Sequence, residues 1–188
     1  MAENNSRNSG GRRDNRRDQA PAEPKQFEEL VINIDRVSRV VKGGRRFRFK
    51  ALVVVGDNKT KVGVGVAKGA DVQAAVAKAT EVAKKHMVVI AIKDGTIPHD
   101  AEKKVAGAHV LIKPAAPGTG IIAGGVVRSI IGVTGIKNML SKSLGSTNKV
   151  NIAYATIEAL TSLVPKSEWL NQTSKKPAAK EVAVEETK

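Results

Sequence analysis

The sequence contains no cysteine. That excludes disulfide scaffolds, thiolate metal sites and thiol nucleophiles together, and it suits a reducing cytosol. Aromatic residues make up only 3% (Phe27, Phe47, Phe49, Tyr154 and Trp169), so there is little on which single-stranded bases could stack. The three histidines, His86, His99 and His109, are too few for a multi-histidine metal cage. No apolar run reaches the ~18 residues needed to cross a bilayer, and the opening residues lack an apolar signal segment, so neither a membrane nor export is expected. Acidic residues are also scarce. There are 18 of them against 32 Lys and Arg, a net charge of +14 over 188 residues. The pI is near 10.1. Such an excess favours a polyanionic partner, nucleic acid first. With few stacking platforms, phosphates and helical shape are the expected targets.

Residues 1–26 carry no Val, Ile, Leu or aromatic residue and cannot offset the entropy of ordering, so they are expected to form a disordered basic tail. Residues 167–188 read as a second flexible tail of mixed charge.

Residues 27–94 form a first unit. Leu30, Ile32 and Ile34 alternate as in a strand, and Lys42 to Arg46 signals a turn. A long strand follows from Phe47 to Val55, its first half exposing cations on one face. After a turn at Gly56–Lys59, Val62, Val64 and Val66 alternate with glycines in a third strand. A helix over 71–86 has the apolar stripe Val72, Ala75, Val76, Ala79, Val82 and Ala83, with Asp71 as N-cap. The order is β-β-β-α, with Val88–Ile92 as an exit strand.

Residues 95–166 form a second unit. Gly107–Lys113 reads as a strand, Pro114–Gly120 as a loop and Ile121–Thr134 as a helix. Lys137–Leu144 is strand-like or a short helix, and a last helix runs from Val150 to a stop at Pro165. The fold class is α+β, with a β-β-β-α domain followed by a β-α-β-α domain.

The first unit holds 14 basic and 7 acidic residues. Within it Arg36, Arg39, Lys42, Arg45, Arg46, Arg48 and Lys50 succeed one another without an intervening acid. A hairpin so charged repels itself unless an anion lies alongside. Arginine grips phosphate bidentately, and Gly43-Gly44 lets the backbone come close.

Three motifs suggest other chemistry and fall short of it. Gly63-x-Gly65-x-x-x-Gly69 is one residue too long for a dinucleotide fingerprint and follows hairpins, not a βαβ unit. Alternating glycines there fit close approach of a helix or of RNA. Pro114–Gly120 before a helix loosely resembles the phosphate loop of the galactokinase and homoserine-kinase superfamily, but the serines and a catalytic acid are missing. His99-Asp100 has no companion pair and reads as a surface turn. No enzyme, cofactor or metal site is expected.

Taken together, Val37 to Arg45, Val54-Val55-Gly56-Asp57, Val62-Gly63-Val64-Gly65, Gly118 to Gly125 and Gly145-Ser-Thr-Asn148 are similar to the bacterial small-subunit ribosomal protein S-five family. The similarity runs in order over about residues 27–165. It implies an N-terminal domain like a double-stranded-RNA-binding domain without its first helix, and a C-terminal domain of the fold shared with those kinases. It implies contact with small-subunit rRNA, near the head–body junction and beside the spectinomycin site, for Arg39, Lys42, Gly43, Gly44 and Arg45. Arg46, Arg48 and Lys68 join them on charge. It implies a protein interface with ribosomal protein S-four, linked to decoding accuracy, through Gly118, Gly120 and Arg128. It also implies ribosomal protein S-eight and mRNA at the entry channel as further partners. Lys149 stands where the family often has Pro, which suits a helix's first turn. The expected function is a structural, rRNA-binding constituent of the small subunit that supports assembly and translational accuracy. The competing readings are a free double-stranded-RNA-binding regulator and a small-molecule kinase.

Overall fold

The computed structural model describes residues 27–165 together with Glu168 and Trp169; both expected tails lie outside the described residues, apart from that pair. The first sheet is built from β1 (Glu28–Val41), β2 (Gly44–Gly56), β3 (Lys61–Gly69) and the short β4 (Val88–Val89), in that spatial order and antiparallel throughout. Helix α1 (Val72–Lys85) lies across it. The second sheet contains β5 (Ala101–Val105), β6 (Ala108–Pro114), β7 (Ile121–Ile122) and β8 (Met139–Gly145) in the order β5-β6-β8-β7, with β7 parallel to β8. Helices α2 (Gly125–Gly132) and α3 (Lys149–Thr161) complete it. The α+β class and the β-β-β-α and β-α-β-α sequences are present; the expected exit segment over 88–92 forms only the two-residue β4, and β5 and β7 are added.

The extra strands differ from the sequence reading for local reasons. β5 reads Ala-Glu-Lys-Lys-Val and sits at a sheet edge, where charges are favoured and apolar alternation is not required. The stretch expected as one helix over 121–134 divides. Ile121 and Ile122 pair with Met139 and Leu140, and the helix begins only after Gly124, which caps it without a side chain. Asp71 occupies the N-cap of α1 in extended backbone, but its carboxylate makes no cap hydrogen bond. Asn148 does cap α3, accepting from the Val150 amide.

Two cores share the first sheet. On one face Ala51, Val53 and Val55 meet Ala75, Ala79 and Ala83 of α1. On the other, Leu52, Val54, Val62 and Val64 join the core of the second unit with Val110, Ile112, Ile130 and Leu160. Strand β2 is therefore buried on both sides, which is why Leu52–Val55 is an unbroken apolar run. Glycine sets the distance to α1. A Cβ at Gly63 would overlap the Ala83 carbonyl, one at Gly65 the Ala79 carbonyl, and one at Gly69 would come within 2.5 Å of the Ala75 amide nitrogen. The glycines of β3 thus serve helix packing and take no part in a nucleotide fingerprint.

The β2–β3 turn locks the two units together. Asp57 Oδ1 accepts from the amides of Lys59, Thr60 and Lys61 at 2.8–2.9 Å. Burial pushes this carboxyl up, yet the three amides prevail and hold it below the usual range. The next residue, Asn58, donates its amide to the Val133 carbonyl.

Candidate nucleic-acid interface

Strand β3 pairs with β2 only as far as Phe49↔Gly69, while β1 and β2 continue to Val41↔Gly44. The last five cross-strand pairs form a two-stranded ribbon that projects beyond the sheet by about 17 Å, at ~3.4 Å per residue. Every residue from Ser38 to Arg48 is exposed. A two-stranded ribbon is marginal in water by itself, and this one is anchored where β1 and β2 continue into the four-stranded sheet.

Register sorts its side chains. Partners directly opposite point to the same face. Arg39↔Arg46, Val37↔Arg48 and Lys50↔Lys68 therefore place Arg39, Arg46, Arg48 and Lys68 on one face. These four line an open groove with Val37 and Ser38. Lys68 lies twenty residues or more from the others in sequence, and β2–β3 pairing brings it alongside. Arg39 directly opposes Arg46, a like-charge pair that destabilises the free ribbon.

The run of seven cations is less uniform than its sequence. Lys50 Nζ lies 2.8 Å from Asp35 Oδ2. The hydrogen bond from Lys50, aided by Asn33, holds the Asp35 carboxyl below its usual range. Arg36 stacks over the Phe47 ring, its guanidinium carbon 3.8 Å from the centroid. Among the described residues no salt bridge engages Arg39, Lys42, Arg45, Arg46, Arg48 or Lys68. Those six form the available cationic surface of the ribbon and its base.

Lys42 and Gly43 make the ribbon's turn, with Gly43 N–H donating to the Val41 carbonyl. Gly43 and Gly44 hold φ of +152° and +154°, which side chains rarely adopt, and nothing lies within 4 Å of a Cβ at either. Conformation demands glycine here, and the surrounding space stays open to an approaching ligand.

The glycine-rich loop stands apart and is used differently. Gly118 N–H and Gly120 N–H both donate to Asn138 Oδ1, at 3.1 and 3.0 Å. Thr119 N–H donates to the Ala116 carbonyl. All three amides are satisfied within the chain, so the loop is no phosphate cradle of the kinase type. Asn138, which the sequence reading did not single out, fastens this loop to β8. Arg128 lies exposed on α2, one turn beyond the Gly124 cap, whose carbonyl its amide meets. Sequence offers one signal for Asn138: a lone amide side chain just before a strand, twenty residues from the glycines it satisfies.

The remaining polar groups make structure. His99 Nε2 accepts from the Val164 amide, and the Trp169 ring packs edge-on against His99 while its indole N–H donates to the Val164 carbonyl. Lys149 Nζ donates to Asn33 Oδ1 at 2.7 Å and ties α3 to the bulge of β1. Among the described residues no three His, Asp or Glu side chains gather as a metal site, and no helix is long and apolar enough to cross a membrane.

Two family models match the chain. Residues 27–91 match the family described as "Ribosomal protein S5, N-terminal domain", and residues 103–171 match "Ribosomal protein S5, C-terminal domain". The chain is 51% identical over 140 residues to "Small ribosomal subunit protein uS5" of Treponema pallidum strain Nichols, covering 74% of this chain and 81% of that one. It is 52% identical over 138 residues to the protein of the same name from Campylobacter jejuni strain 81-176, covering 73% of this chain and 94% of the relative.

Proposed function

The chain belongs to the ribosomal protein S5 family, and from that premise we propose how its residues serve the small ribosomal subunit. It is a structural constituent of that subunit, with rRNA and other ribosomal proteins as partners, and the family is not an enzymatic one. Our reading is that the projecting ribbon is the rRNA contact. Arg39, Arg46, Arg48 and Lys68 meet phosphates along one face, while Lys42, Gly43, Gly44 and Arg45 meet them at the tip. The observation that supports it is the groove in which strand register gathers four cations with no acid to answer them. Neutralising about six phosphates makes log K fall against log salt with a slope of roughly −5. The test is reassembly of the full chain with small-subunit particles that lack it, titrated with salt. A slope near zero would refute a phosphate-binding ribbon. A free double-stranded-RNA regulator would instead stay outside the particles even at low salt.

The second unit carries the protein interface in this reading. Gly118, Gly120 and Arg128 face ribosomal protein S-four, with Asn138 holding the loop in shape, and the same surface supports decoding accuracy. S-eight and the mRNA entry channel are the further neighbours we assign. Replacing Asn138 by Leu leaves two amides of the loop without their acceptor. Translation by subunits carrying Asn138→Leu or Arg128→Leu is expected to misread severalfold more often, at normal subunit abundance. Unchanged misreading would remove the accuracy role.

A further inference from the structure

The face of the ribbon opposite the cationic groove has a different chemistry. Register places Arg36, Val40, Arg45 and Phe47 there together, through the pairs Ser38↔Phe47 and Val40↔Arg45. Val40 is 73% exposed and Phe47 50% exposed. Strand alternation carries this face on to Phe49 and Ala51, which are covered by α1, but α1 does not reach the ribbon. One side of the Phe47 ring is held by the Arg36 guanidinium. The guanidinium covers one face of the ring, and the residue is half exposed.

We infer that Phe47, braced by Arg36 and flanked by Val40 and Arg45, is a stacking platform for one unpaired nucleobase of the RNA whose phosphates occupy the other face. This rests on the ribbon being the rRNA contact. Three observations converge on a base as the occupant. The platform is continuous with the cationic groove, one strand thickness away. Its flanking charges are both positive, which disfavours a basic protein surface and suits a polyanion. The guanidinium–ring stack presents a flat, polarised surface that any base can meet, and such stacking is tolerant of base identity. A nucleotide at the ribbon edge can lay its base on Phe47 and its phosphate against Arg45.

The test uses the full chain competing with its parent for small-subunit particles that lack it. Stacking of one base is worth ~1–3 kcal/mol by side-chain truncation, so Phe47→Leu is expected to lose about five- to 150-fold in incorporation. The slope against salt stays unchanged, since no phosphate contact is removed. Phe47→Tyr keeps the ring and stays within about twofold of the parent. Ultraviolet irradiation of assembled subunits is expected to leave a nucleotide adduct on Phe47. The free variants melt with the parent, which separates the result from a folding defect. Leu matching the parent, or no adduct, overturns the platform; an apolar protein partner on this face would give both results. Arg46→Gln read in the same assay reports the groove on its own. If it leaves the salt slope intact, the phosphate reading fails, whatever Phe47 does.

Discussion

Arg46→Glu is expected to make the isolated protein slightly more heat-stable while nearly abolishing its entry into the small subunit. Arg46 sits directly across from Arg39 on an exposed ribbon. Side chains so placed have Cβ atoms ~4.5–5.5 Å apart, and like charges there repel while opposite charges attract. The substitution turns a repulsive pair into an attractive one without touching the core, so the melting temperature should rise by about 1–3 °C. In the subunit the same change places a carboxylate where a phosphate is to be met, and like-charge juxtaposition at an interface costs several kcal/mol. Incorporation against the parent chain should fall by about a hundredfold or more, and the salt slope by about one to two. Differential scanning calorimetry of the free chain and competitive reassembly measure the two halves. A variant that both melts lower and assembles normally would show that the groove is folded for itself and not for RNA.

That expectation rests on geometry which sequence carried only in part. The density of cations from Arg36 to Lys50 is legible in the chain, as is the turn at Lys42-Gly43-Gly44. Which of those cations remain free is not legible. Asp35 precedes the run and reaches Lys50 across the hairpin, and Arg36 spends its charge on Phe47. Lys68 could be suspected from charge, but only the β2–β3 register sets it beside Arg39 and Arg46. Register depends on where a bulge falls, and here one lies between Val31 and Asn33. The glycine loop misleads in the opposite sense. Its spacing suggests an anion site, yet Asn138 takes the amides that would bind one. A contact spanning twenty residues through one side chain leaves no periodic trace. The sequence reading took β2 as an alternating strand, and alternation assigns only one face of a strand to a core; the structure buries Leu52 and Val54 on the other. The glycines of β3 left helix and RNA both open as the close neighbour, and the helix occupies that space.

That helix approach sets up a large stability effect. In an ordinary strand, exchanging glycine for alanine gains about 0.5–1 kcal/mol by removing freedom from the unfolded chain. Gly65→Ala is expected to do the reverse. The added Cβ would overlap the Ala79 carbonyl and lie 2.6 Å from the Ala83 amide nitrogen. Both obstacles are backbone of α1, so no side chain can rotate away and the whole helix must lift. Lifting it loosens Ala75, Ala79 and Ala83 from Ala51, Val53 and Val55 together, where close packing is all that such small side chains offer. A loss of about 3 kcal/mol follows, or about 6–12 °C in melting temperature. Gly132→Ala in α2 is the matched control. Nothing stands within 4 Å of its Cβ, so it should gain up to ~1 kcal/mol. If urea denaturation finds Gly65→Ala as stable as the parent, the close approach of α1 is not what these glycines serve. The two variants also dissociate fold from assembly. No residue of the ribbon is altered in Gly65→Ala, so below its melting point it should still enter subunits, whereas Arg46→Glu stays folded and is excluded. A ribbon that binds RNA and a sheet that only carries it predict that crossed pattern, and a protein whose RNA contacts were spread over its whole surface would not produce it.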